Sequence, residues 1–455
     1  MKHLHFIAIG GAAMHNLAIA VSKKPNYIIT GSDDEIFEPS KSHLKSNGLL
    51  PETLGWHPEK ITKEISAVIV GMHARADNPE LLRAKELGID IYSFPEYLYK
   101  QTQKKTRIVV GGSHGKTTTT AIILHVLSKR NMVVDFMVGA QLNGFDTMVK
   151  LSYDAPIAIF EGDEYLTSPL DPRPKFHLYH PHIAVLTGIA WDHINVFPTF
   201  ETYVAQFKKF ADLIEREGRL IYFEKDEHLQ NIVANLRSDI VAIPYQAPEY
   251  IIDNGITSII HKGIKYPLLV FGEHNLQNIA AACLVCKQLG VKESDFYSAL
   301  QDFKGASNRL QKIAETPDAI AYKDFAHSPS KLKATVEAVK KQYPDKKLIA
   351  CMELHTFSSL KADFLPQYND CMKAADKALV YFNPEVIEHK HLTQLSEQEV
   401  TVAFGGDNVH AFSNGLSLQA FLRSMDFHNK VLLFMTSGNF SGIDIEAFAN
   451  ELLQQ

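Results

Sequence analysis

The feature that most constrains the fold is a glycine-rich stretch at residues 111–118, which reads Gly-Gly-Ser-His-Gly-Lys-Thr-Thr. It follows a short β-branched run at residues 107–110 and precedes an apolar helical pattern at residues 121–127. A strand, a glycine loop and a helix in this order are typical of a phosphate-binding loop, in which backbone N–H groups and the helix N-terminus face an anion. The stretch therefore predicts an α/β fold that binds phosphate.

Two side chains at the end of this loop have defined tasks in such a site. Lys116 supplies a mobile positive charge, and the Thr117 hydroxyl is placed to ligate Mg²⁺. The usual eight-residue pattern has a glycine where this chain has Val110, so the remaining glycines lie closer to the lysine. We expect the phosphates to contact Gly112, Ser113, His114, Gly115, Lys116, Thr117 and Thr118.

Length and composition restrict the class of protein. A chain of 455 residues suggests three domains at roughly 150 residues each. With 45% hydrophobic and 22% charged residues the chain is globular, and a net charge of −6 gives no sign of a surface for nucleic acid. No apolar run reaches the about 18 residues that a membrane-spanning helix needs, so we expect no membrane insertion.

Cysteine usage and the N-terminus favour a reduced, cytoplasmic protein. Four cysteines are too few for a disulfide framework, and Cys283 and Cys286 lie in an apolar helical run that predicts buried thiols rather than a redox or zinc pair. Residues 2–13 loosely resemble a signal peptide, but two histidines and a glycine pair interrupt the apolar run. The same residues are better interpreted as a first strand and its turn.

The first 100 residues have the pattern of a second nucleotide site. A strand at residues 4–9 is followed by a turn at Gly10, Gly11 and Ala12, and a strand at residues 27–30 leads to Ser32 and Asp33. A glycine turn after the first strand and an acid after the second are Rossmann-like features. The Gly-x-Gly-x-x-Gly spacing is absent, so nucleotide binding and a purely structural turn both stay open.

Further along the chain, acids and histidines follow predicted strands. Glu161 ends a strand at residues 157–160, where an acid beside a phosphate loop usually holds Mg²⁺. A strand at residues 183–187 leads to the pair Asp192 and His193. In a predicted helix, Asn275 and Asn278 lie one turn apart and could pair with a purine edge, whereas an N-cap role would explain only Asn275.

Taken together, these motifs resemble the Mur ligase family, which joins amino acids or peptides to UDP-N-acetylmuramic acid with the use of ATP. The similarity spans the whole chain and includes an Asp-His element at residues 192–195, a Gly-x-His-Asn-x-x-Asn pattern from residue 272, a basic element at residues 307–311 and an Asp-Phe-Ala-His-Ser-Pro segment at residues 324–329. Departures from the family patterns occur at Leu166, Asn195, Asn308 and Ser328.

The resemblance implies three α/β domains. We expect a Rossmann-like UDP-sugar-binding domain at residues 1–105, a central ATP-binding domain of the P-loop ATPase type at residues 106–303, and a Rossmann-like C-terminal domain at residues 304–455. The last of these would close over ATP and bind the incoming amine substrate.

The resemblance also implies roles for individual residues. The residues expected to act in catalysis are Lys116, Glu161, His193 and Arg309, and those expected to hold the metal are Thr117, Glu161 and His193. Besides the phosphate loop, the residues expected to bind ATP are His274, Asn275, Asn278, Arg309, Asp324 and His327. The residues expected to bind the UDP-sugar are Gly10, Gly11, Ala12, Ser32, Asp33 and His73.

The reaction implied is ADP-forming amide-bond synthesis with ATP and Mg²⁺. The lactyl carboxylate of UDP-N-acetylmuramate attacks the γ-phosphate to give an acyl phosphate, and an amine then displaces phosphate. Lys116, Arg309 and the metal suit this chemistry, because phosphoryl transfer needs charge neutralisation and positioning.

Two subgroups of the family differ in the amine. Tyr165 and the Asp-x-Arg-x-Lys-Phe segment at residues 171–176 favour the subgroup that attaches the recycled peptide L-Ala-γ-D-Glu-meso-diaminopimelate, and this is our first prediction. The segment at residues 353–359 departs from that subgroup, so the alternative is the subgroup that adds L-alanine in wall synthesis.

Two more distant alternatives to a ligase acting on UDP-N-acetylmuramate are less compatible with the sequence. A non-catalytic UDP-sugar-binding protein should have lost Lys116, Thr117 or Glu161, and all three are present. A folylpolyglutamate-type ligase should lack the separate first 100 residues. The sequence leaves the oligomeric state and any carbamoylated lysine open.

Overall fold

The computed structural model describes residues 1–72, 74–142, 144–168, 170–191, 196–306 and 309–454. These residues form two compact units. The first comprises residues 1–246 and 281–290, and the second comprises residues 247–280 and 291–455.

The first unit begins with a parallel sheet of four strands in the order β2-β1-β3-β4. Its strands are β1 (Lys2–Ile7), β2 (Tyr27–Ser32), β3 (Ala67–Val70) and β4 (Ile91–Ser93). Its helices are α1 (Ala12–Ser22), α2 (Ser40–Ser46), α3 (Pro79–Glu86) and α4 (Phe94–Thr102). Strand β3 is apolar throughout because a parallel strand in the middle of a sheet is covered on both faces.

The larger sheet of the first unit has seven strands in the order β13-β12-β11-β5-β8-β6-β7. They are β5 (Thr106–Gly111), β6 (Val134–Met137), β7 (Val149–Lys150), β8 (Ile157–Glu161), β11 (Ile183–Leu186), β12 (Arg219–Phe223) and β13 (Val241–Tyr245), and a separate hairpin contains β9 (Leu166–Ser168) and β10 (Asp171–Pro174). The helices are α5 (Lys116–Lys129), α6 (Phe200–Asp212) and α7 (Glu227–Ala234). Strand β5 pairs in parallel with β8 and β11, so the carboxyl ends of these three strands meet at one edge.

Before its main sheet, the second unit contains a three-stranded antiparallel sheet, the first eight residues of one helix, whose residues 281–288 belong to the first unit, and a second helix. The strands are β14 (Tyr250–Asp253), β15 (Ile256–His261) and β16 (Ile264–Pro267), and the helices that follow are α8 (Glu273–Gln288) and α9 (Glu293–Leu300).

Short 3₁₀ helices along the chain are Pro58–Lys60, Lys175–Leu178, Leu365–Tyr368 and Phe440–Gly442.

The main sheet of the second unit has six strands in the order β17-β18-β22-β19-β20-β21, with only β17 antiparallel. The strands are β17 (Gln311–Glu315), β18 (Ile320–Asp324), β19 (Lys347–Leu354), β20 (Lys377–Phe382), β21 (Val409–Phe412) and β22 (Lys430–Met435). The helices are α10 (Pro329–Gln342), α11 (Pro384–His389), α12 (Glu397–Phe404), α13 (Gly415–Arg423) and α14 (Ile445–Leu453). Residues of α10 and α12 belong to one apolar cluster and residues of α13 and α14 to another, so helices cover both faces.

The insertion of β22 between β18 and β19 reverses the direction of strand addition. Such a reversal makes a crevice at the carboxyl ends of the strands, which is the usual ligand position in open α/β sheets. The Rossmann-like α/β fold predicted for the C-terminal part of the chain is therefore confirmed.

Several local predictions are also settled by the fold. Cys283 and Cys286, which the sequence predicts to be buried thiols, are buried free cysteines in α8. Burial raises the pKa of Cys286 well above its usual value. In the parts of the chain that the structure describes, no helix is long and apolar enough to cross a membrane. The domain boundaries after residues 105 and 303 stay predictions.

Candidate active site

The phosphate loop leaves β5 and packs tightly against the turn that follows β11. Gly115 is the N-cap of α5 with φ +76°, and Gly112 has φ +128°. A Cβ atom at Gly112 would lie 2.1 Å from Thr187 Oγ1 and 2.8 Å from the Thr187 nitrogen. Glycine is required at residue 112 for both its conformation and this close approach.

Lys116 begins α5 and its ammonium group is held by two acceptors. Nζ donates to the Gly112 carbonyl at 2.8 Å and lies 2.7 Å from Glu164 Oε2. Burial alone lowers the pKa of Lys116, but Glu164, Asp163 and Glu161 outweigh it, so the pKa is raised above its usual value. Lys116 is therefore a fixed, fully charged group at the N-terminus of α5.

Thr117 and Glu161 bring two oxygen donors together beside the lysine. The Thr117 hydroxyl donates to Glu161 Oε1 at 2.7 Å, and Glu161 Oε2 accepts the Gly139 N–H at 2.7 Å. Hydroxyl and carboxylate oxygens are the ligands that Mg²⁺ prefers, so this pair fits the predicted metal. His193, the third predicted ligand, lies outside the described residues.

Other loop residues take structural positions. Ser113 and Thr118 are buried, and the Ser113 N–H donates to the Gly188 carbonyl at 2.9 Å. The carbonyl of His114 accepts a hydrogen bond from the Thr187 hydroxyl. These contacts hold the loop curled between β5 and α5.

The glycine turn after β1 lies against the acid that follows β2. The Gly10 N–H donates to Asp33 Oδ2 at 2.7 Å, and Gly11 is the N-cap of α1. Asp33 is 1% exposed, and its Oδ1 has no hydrogen-bond partner among the described residues. Burial raises the pKa of Asp33, although the Gly10 N–H opposes this.

This turn opens into a cavity of about 930 Å³. Gly10, Gly11 and Asp33 are predicted residues that line it. The sequence reasoning missed other lining residues of clear chemical character: Phe37, Trp56, Met72, Arg75 and Asp77. Trp56 is one of only two tryptophans in the chain, which is a signal that could have drawn attention to it.

The remaining predicted residues of this turn are placed differently. Ala12 is exposed at the first position of α1. Ser32 is completely buried, and its hydroxyl lies 3.5 Å from His5 Nε2. His73 lies outside the described residues. A network below Ser32 joins His5 Nε2 to Glu80 Oε2 at 3.2 Å, so the serine hydroxyl faces the protein interior.

In the second unit, Asp324 organises the residues around the end of β18. Its Oδ2 accepts the Leu310 N–H at 2.5 Å, and its Oδ1 accepts the Ala326 N–H at 2.7 Å. The Arg309 guanidinium lies 4.6 Å from the centre of the Phe325 ring. Ring Nδ1 of His327 lies 2.8 Å from the Phe325 carbonyl oxygen. Arg309, Asp324 and His327 are thus gathered at one strand end.

The start of α8 contains the predicted adenine contacts. Asn275 is the third helical residue, and its side chain donates to the Phe271 carbonyl at 2.8 Å. The N-cap alternative for Asn275 is therefore excluded. Asn278 is buried one turn further on. Burial lowers the pKa of His274, against the opposite effects of Asp324 and Glu273.

The segment that follows β22 folds over the end of β19. Glu353 Oε2 accepts the Phe440 N–H at 2.9 Å and a hydrogen bond from the Thr436 hydroxyl. A Cβ atom at Gly438 would lie 2.6 Å from His355 Nδ1, so glycine is needed there. Glu353 and His355 therefore lie at the carboxyl end of β19, next to β22, where the order of the sheet reverses.

Comparison with known proteins identifies the family to which the chain is similar. Residues 110–286 match the Mur ligase middle domain, and residues 3–106 match the Mur ligase family catalytic domain. A UDP-N-acetylmuramate–L-alanine ligase from Caldicellulosiruptor bescii is 32% identical over 400 residues, which cover 84% of this chain and 83% of that protein. Relatives with the same name from Carboxydothermus hydrogenoformans and Desulfitobacterium hafniense are 31% and 28% identical.

Solved structures share the fold over most or all of the chain. The UDP-N-acetylmuramate–alanine ligase from Thermotoga maritima matches with a TM-score of 0.69 and 19% identity, covering 100% of this chain and 99% of that one. A murein peptide ligase from Psychrobacter arcticus matches with a TM-score of 0.64 and 22% identity, covering 100% and 98%. The MurF ligase from Thermotoga maritima in complex with ADP has a TM-score of 0.58 and 18% identity, covering 86% and 87%.

Fold and site together define an ATP-dependent ligase with a three-domain α/β architecture and Rossmann-like terminal domains. The chain belongs to the Mur ligase family. The predicted fold class, family and enzyme class are confirmed.

The prediction of a tripeptide substrate is wrong, because curated relatives that cover most of this chain are named L-alanine ligases. The structure supplies a physical reason for the error. The Asp-x-Arg-x-Lys pattern lies in and just after strand β10: Arg173 Nη2 lies 2.7 Å from Asp171 Oδ2 within that strand, and Lys175 Nζ lies 2.6 Å from Asp163 Oδ2, which precedes β9. These residues are explained by packing and ion pairing, without any peptide.

Proposed function

We propose that this chain is a UDP-N-acetylmuramate–L-alanine ligase that uses ATP and Mg²⁺. The observation that carries the proposal is the relative of that name, 32% identical over 84% of the chain. Its place would be the first amino-acid addition to the wall precursor. A cytoplasmic location, where the protein would meet ATP and UDP-sugars, stays a prediction.

The phosphate loop supports the nucleotide part of the proposal. Lys116 and the N-terminus of α5 would bind the β- and γ-phosphates, because both present positive charge at the loop. Thr117 and Glu161 would hold Mg²⁺, which supplies positive charge against the transferred phosphoryl group. Arg309 would add a planar guanidinium that matches phosphoryl oxygens, and His193 stays a proposed metal ligand.

The residues at the start of α8 and the end of β18 would bind the nucleoside. The Asn275 side-chain amide donates a hydrogen bond to the Phe271 carbonyl, which fixes the orientation of the side chain. Its oxygen could then accept a hydrogen bond from a purine amino group. Asn278, His274, Asp324 and His327 are the other residues that we assign to ATP.

The cavity beside Gly10 and Gly11 supports the sugar-nucleotide part. Its volume of about 930 Å³ suits a large ligand. The N-terminus of α1 would face the diphosphate, Trp56 offers an aromatic face to a base, and Arg75 offers a cation. Asp33 would accept a hydrogen bond from the ligand through its Oδ1, which would satisfy this buried oxygen.

Within this arrangement the chain itself contributes binding, orientation and charge. Lys116 and Arg309 would stabilise negative charge on the γ-phosphate while the lactyl carboxylate attacks it. L-Alanine would then displace phosphate from the acyl phosphate and form the amide. The crevice at Glu353 and His355 is our candidate position for the amine, since an acid there would favour an ammonium group.

The experiment is substrate-dependent phosphate release by the purified protein. Mg·ATP and UDP-N-acetylmuramate would be mixed with L-alanine in one reaction, with L-Ala-γ-D-Glu-meso-diaminopimelate in a second, and with no amine in a third. We expect release with L-alanine and only background in the other two reactions. Release with the tripeptide and none with L-alanine would overturn the proposal, and so would the absence of release in all three.

A further inference from the structure

A buried carboxylate behind the phosphate loop is not among the residues that the sequence assigned to the site. Glu164 follows β8 by three residues and is 0% exposed. Its Oε2 lies 2.7 Å from Lys116 Nζ, and its Oε1 accepts the Tyr203 hydroxyl at 3.1 Å. A buried carboxylate is expensive unless it is paired and hydrogen-bonded, and Glu164 is both.

Tyr203 connects this carboxylate to the loop itself. It lies in α6, is 0% exposed, and its hydroxyl is 2.9 Å from Ser113 Oγ. Ser113 Oγ in turn accepts the Ala190 N–H at 2.9 Å. Four separate segments of the first unit therefore meet in one hydrogen-bonded chain.

The direction of every hydrogen bond in this chain is fixed by its two ends. The Ala190 N–H can only donate, and the ionised Glu164 carboxylate can only accept. The Ser113 hydroxyl must therefore donate to the Tyr203 oxygen, and the Tyr203 hydroxyl must donate to Glu164. Each hydroxyl has one orientation, which is how a hydrogen-bonded network makes an arrangement rigid.

The same geometry leaves one N–H donor of Lys116 available to a ligand. An ammonium group has three N–H donors, and among the described residues Lys116 uses two of them, on Gly112 and Glu164. The third remains for a phosphate oxygen. Lys116 can therefore bind phosphate without leaving Glu164.

We propose that Glu164 and Tyr203 are positioning residues of the phosphate site, which hold Lys116 and Ser113 in the geometry that binds the nucleotide. The inference rests on the proposed nucleotide site but not on the identity of the sugar or the amine. A preorganised charge contributes more than a mobile one, because no reorganisation is needed when the substrate arrives. Glu164 and Tyr203 thus link α6 to the loop through buried side chains.

The test uses variants of the full-length protein that keep side-chain size. Tyr203→Phe removes one hydroxyl and changes no charge, and Glu164→Gln removes the charge. The matched control is Tyr245→Phe, since Tyr245 is also a buried tyrosine of the first unit and its hydroxyl has no hydrogen-bond partner among the described residues. Affinity for Mg·ADP is measured by calorimetry without sugar or amine, so failure of the proposed amide synthesis leaves this measurement valid.

For Tyr203→Phe we expect roughly fivefold to tenfold weaker Mg·ADP binding, the scale of one lost buried hydrogen bond. The KM for ATP should rise, or kcat fall, by a similar factor, while the KM values for UDP-N-acetylmuramate and L-alanine stay within about twofold. Tyr245→Phe should bind Mg·ADP like the wild type. Wild-type affinity and turnover in Tyr203→Phe would overturn the proposal.

A second measurement tests the pair of Lys116 and Glu164 without any ligand. Lys116→Ala removes the positive charge that lies 2.7 Å from the buried Glu164 carboxylate, so the melting temperature of this variant should fall. Adding Glu164→Gln to Lys116→Ala should raise the melting temperature again, by about 3 °C or more, although Glu164→Gln alone lowers it. If the decrease in melting temperature of the double variant equalled the sum of the decreases of the two single variants, the residues would not be coupled. That result would also overturn the proposal.

Discussion

The first unit contains two glycine turns with the same backbone arrangement but with different side chains around them. In both sheets a glycine turn leaves a parallel strand and begins a helix, at Gly10–Gly11 before α1 and at Gly112–Gly115 before α5. The α5 turn is surrounded by charges that include Lys116, Glu161 and Glu164. The first turn of α1 has no acidic residue, and its nearest carboxylate, Asp33, accepts the Gly10 N–H.

This difference teaches what each turn can do. A lysine, an adjacent hydroxyl and buried acids make a site that can neutralise a phosphoryl group during transfer. A glycine turn whose helix does not begin with a lysine and a hydroxyl can hold a diphosphate and a sugar, but it places no lysine at the helix N-terminus for phosphoryl transfer. The two turns are therefore expected to bind two different nucleotides, and each can be disabled without the other.

The largest effect is expected for Lys116→Ala. Removal of this preorganised charge should lower kcat/KM for ATP by about 10²-fold or more. The KM for UDP-N-acetylmuramate should change little, because the lysine belongs to the other turn. Steady-state kinetics with each substrate varied in turn checks this, and near-normal turnover would contradict the assignment of the loop.

Gly112→Ala should have the next largest effect. A side chain at φ +128°, with its Cβ 2.1 Å from Thr187 Oγ1, forces the loop to move. We expect about 2 kcal/mol or more of lost stability, together with weaker Mg·ADP binding. Urea denaturation and calorimetry measure both quantities, and a variant as stable as the wild type would show that the loop geometry is wrong.

Asp33→Asn addresses the other turn. The substitution keeps the shape of the side chain but removes the charge that accepts the Gly10 N–H, so the KM for UDP-N-acetylmuramate should rise roughly tenfold. Affinity for Mg·ADP should be unchanged. If Mg·ADP binding weakened as much as sugar-nucleotide binding, the two turns would not be independent.

The smallest effect is expected for Gly11→Ala, the counterpart of Gly112→Ala. Gly11 has φ −58°, and the nearest atom to an added Cβ would be Met14 Cγ at 3.6 Å. The free energy of unfolding should therefore stay within about 0.5 kcal/mol of the wild type. A loss as large as that of Gly112→Ala would mean that the two turns share the same steric requirement.

Local patterns were enough to predict the elements that carry the two turns. The β-branched run before residue 111 and the apolar run after Lys116 defined strand, loop and helix, because each signal lies within one segment. The close position of Glu161 and Thr117 was also predictable, since the carboxyl ends of neighbouring parallel strands meet at one edge.

Contacts between distant segments could not be predicted in this way. Glu164 meets Tyr203 across 39 residues, and no local periodicity links a loop after β8 to α6. Ser32 was assigned to the sugar nucleotide from its place after a strand, yet its hydroxyl is fully buried beside His5. Which way a side chain points at a strand end depends on the register and packing of the whole sheet.

The choice of amine shows a different kind of error. The Asp171, Arg173 and Lys175 pattern favours a peptide substrate when only the sequence is considered, but Arg173 pairs with Asp171 within β10 and Lys175 pairs with Asp163 beside the hairpin. Charged residues in short alternating spacing serve such hairpins often enough that spacing alone does not identify a ligand.

The most direct test of the central claim is the identity of the product. The purified protein would be incubated with Mg·ATP, UDP-N-acetylmuramate and an equimolar mixture of L-alanine and L-Ala-γ-D-Glu-meso-diaminopimelate, and the products would be separated and weighed by mass spectrometry. We expect UDP-N-acetylmuramoyl-L-alanine as the product, with one ADP formed for each molecule, and no product from the Lys116→Ala variant. A product carrying the tripeptide, or ADP formed without any amide product, would contradict it.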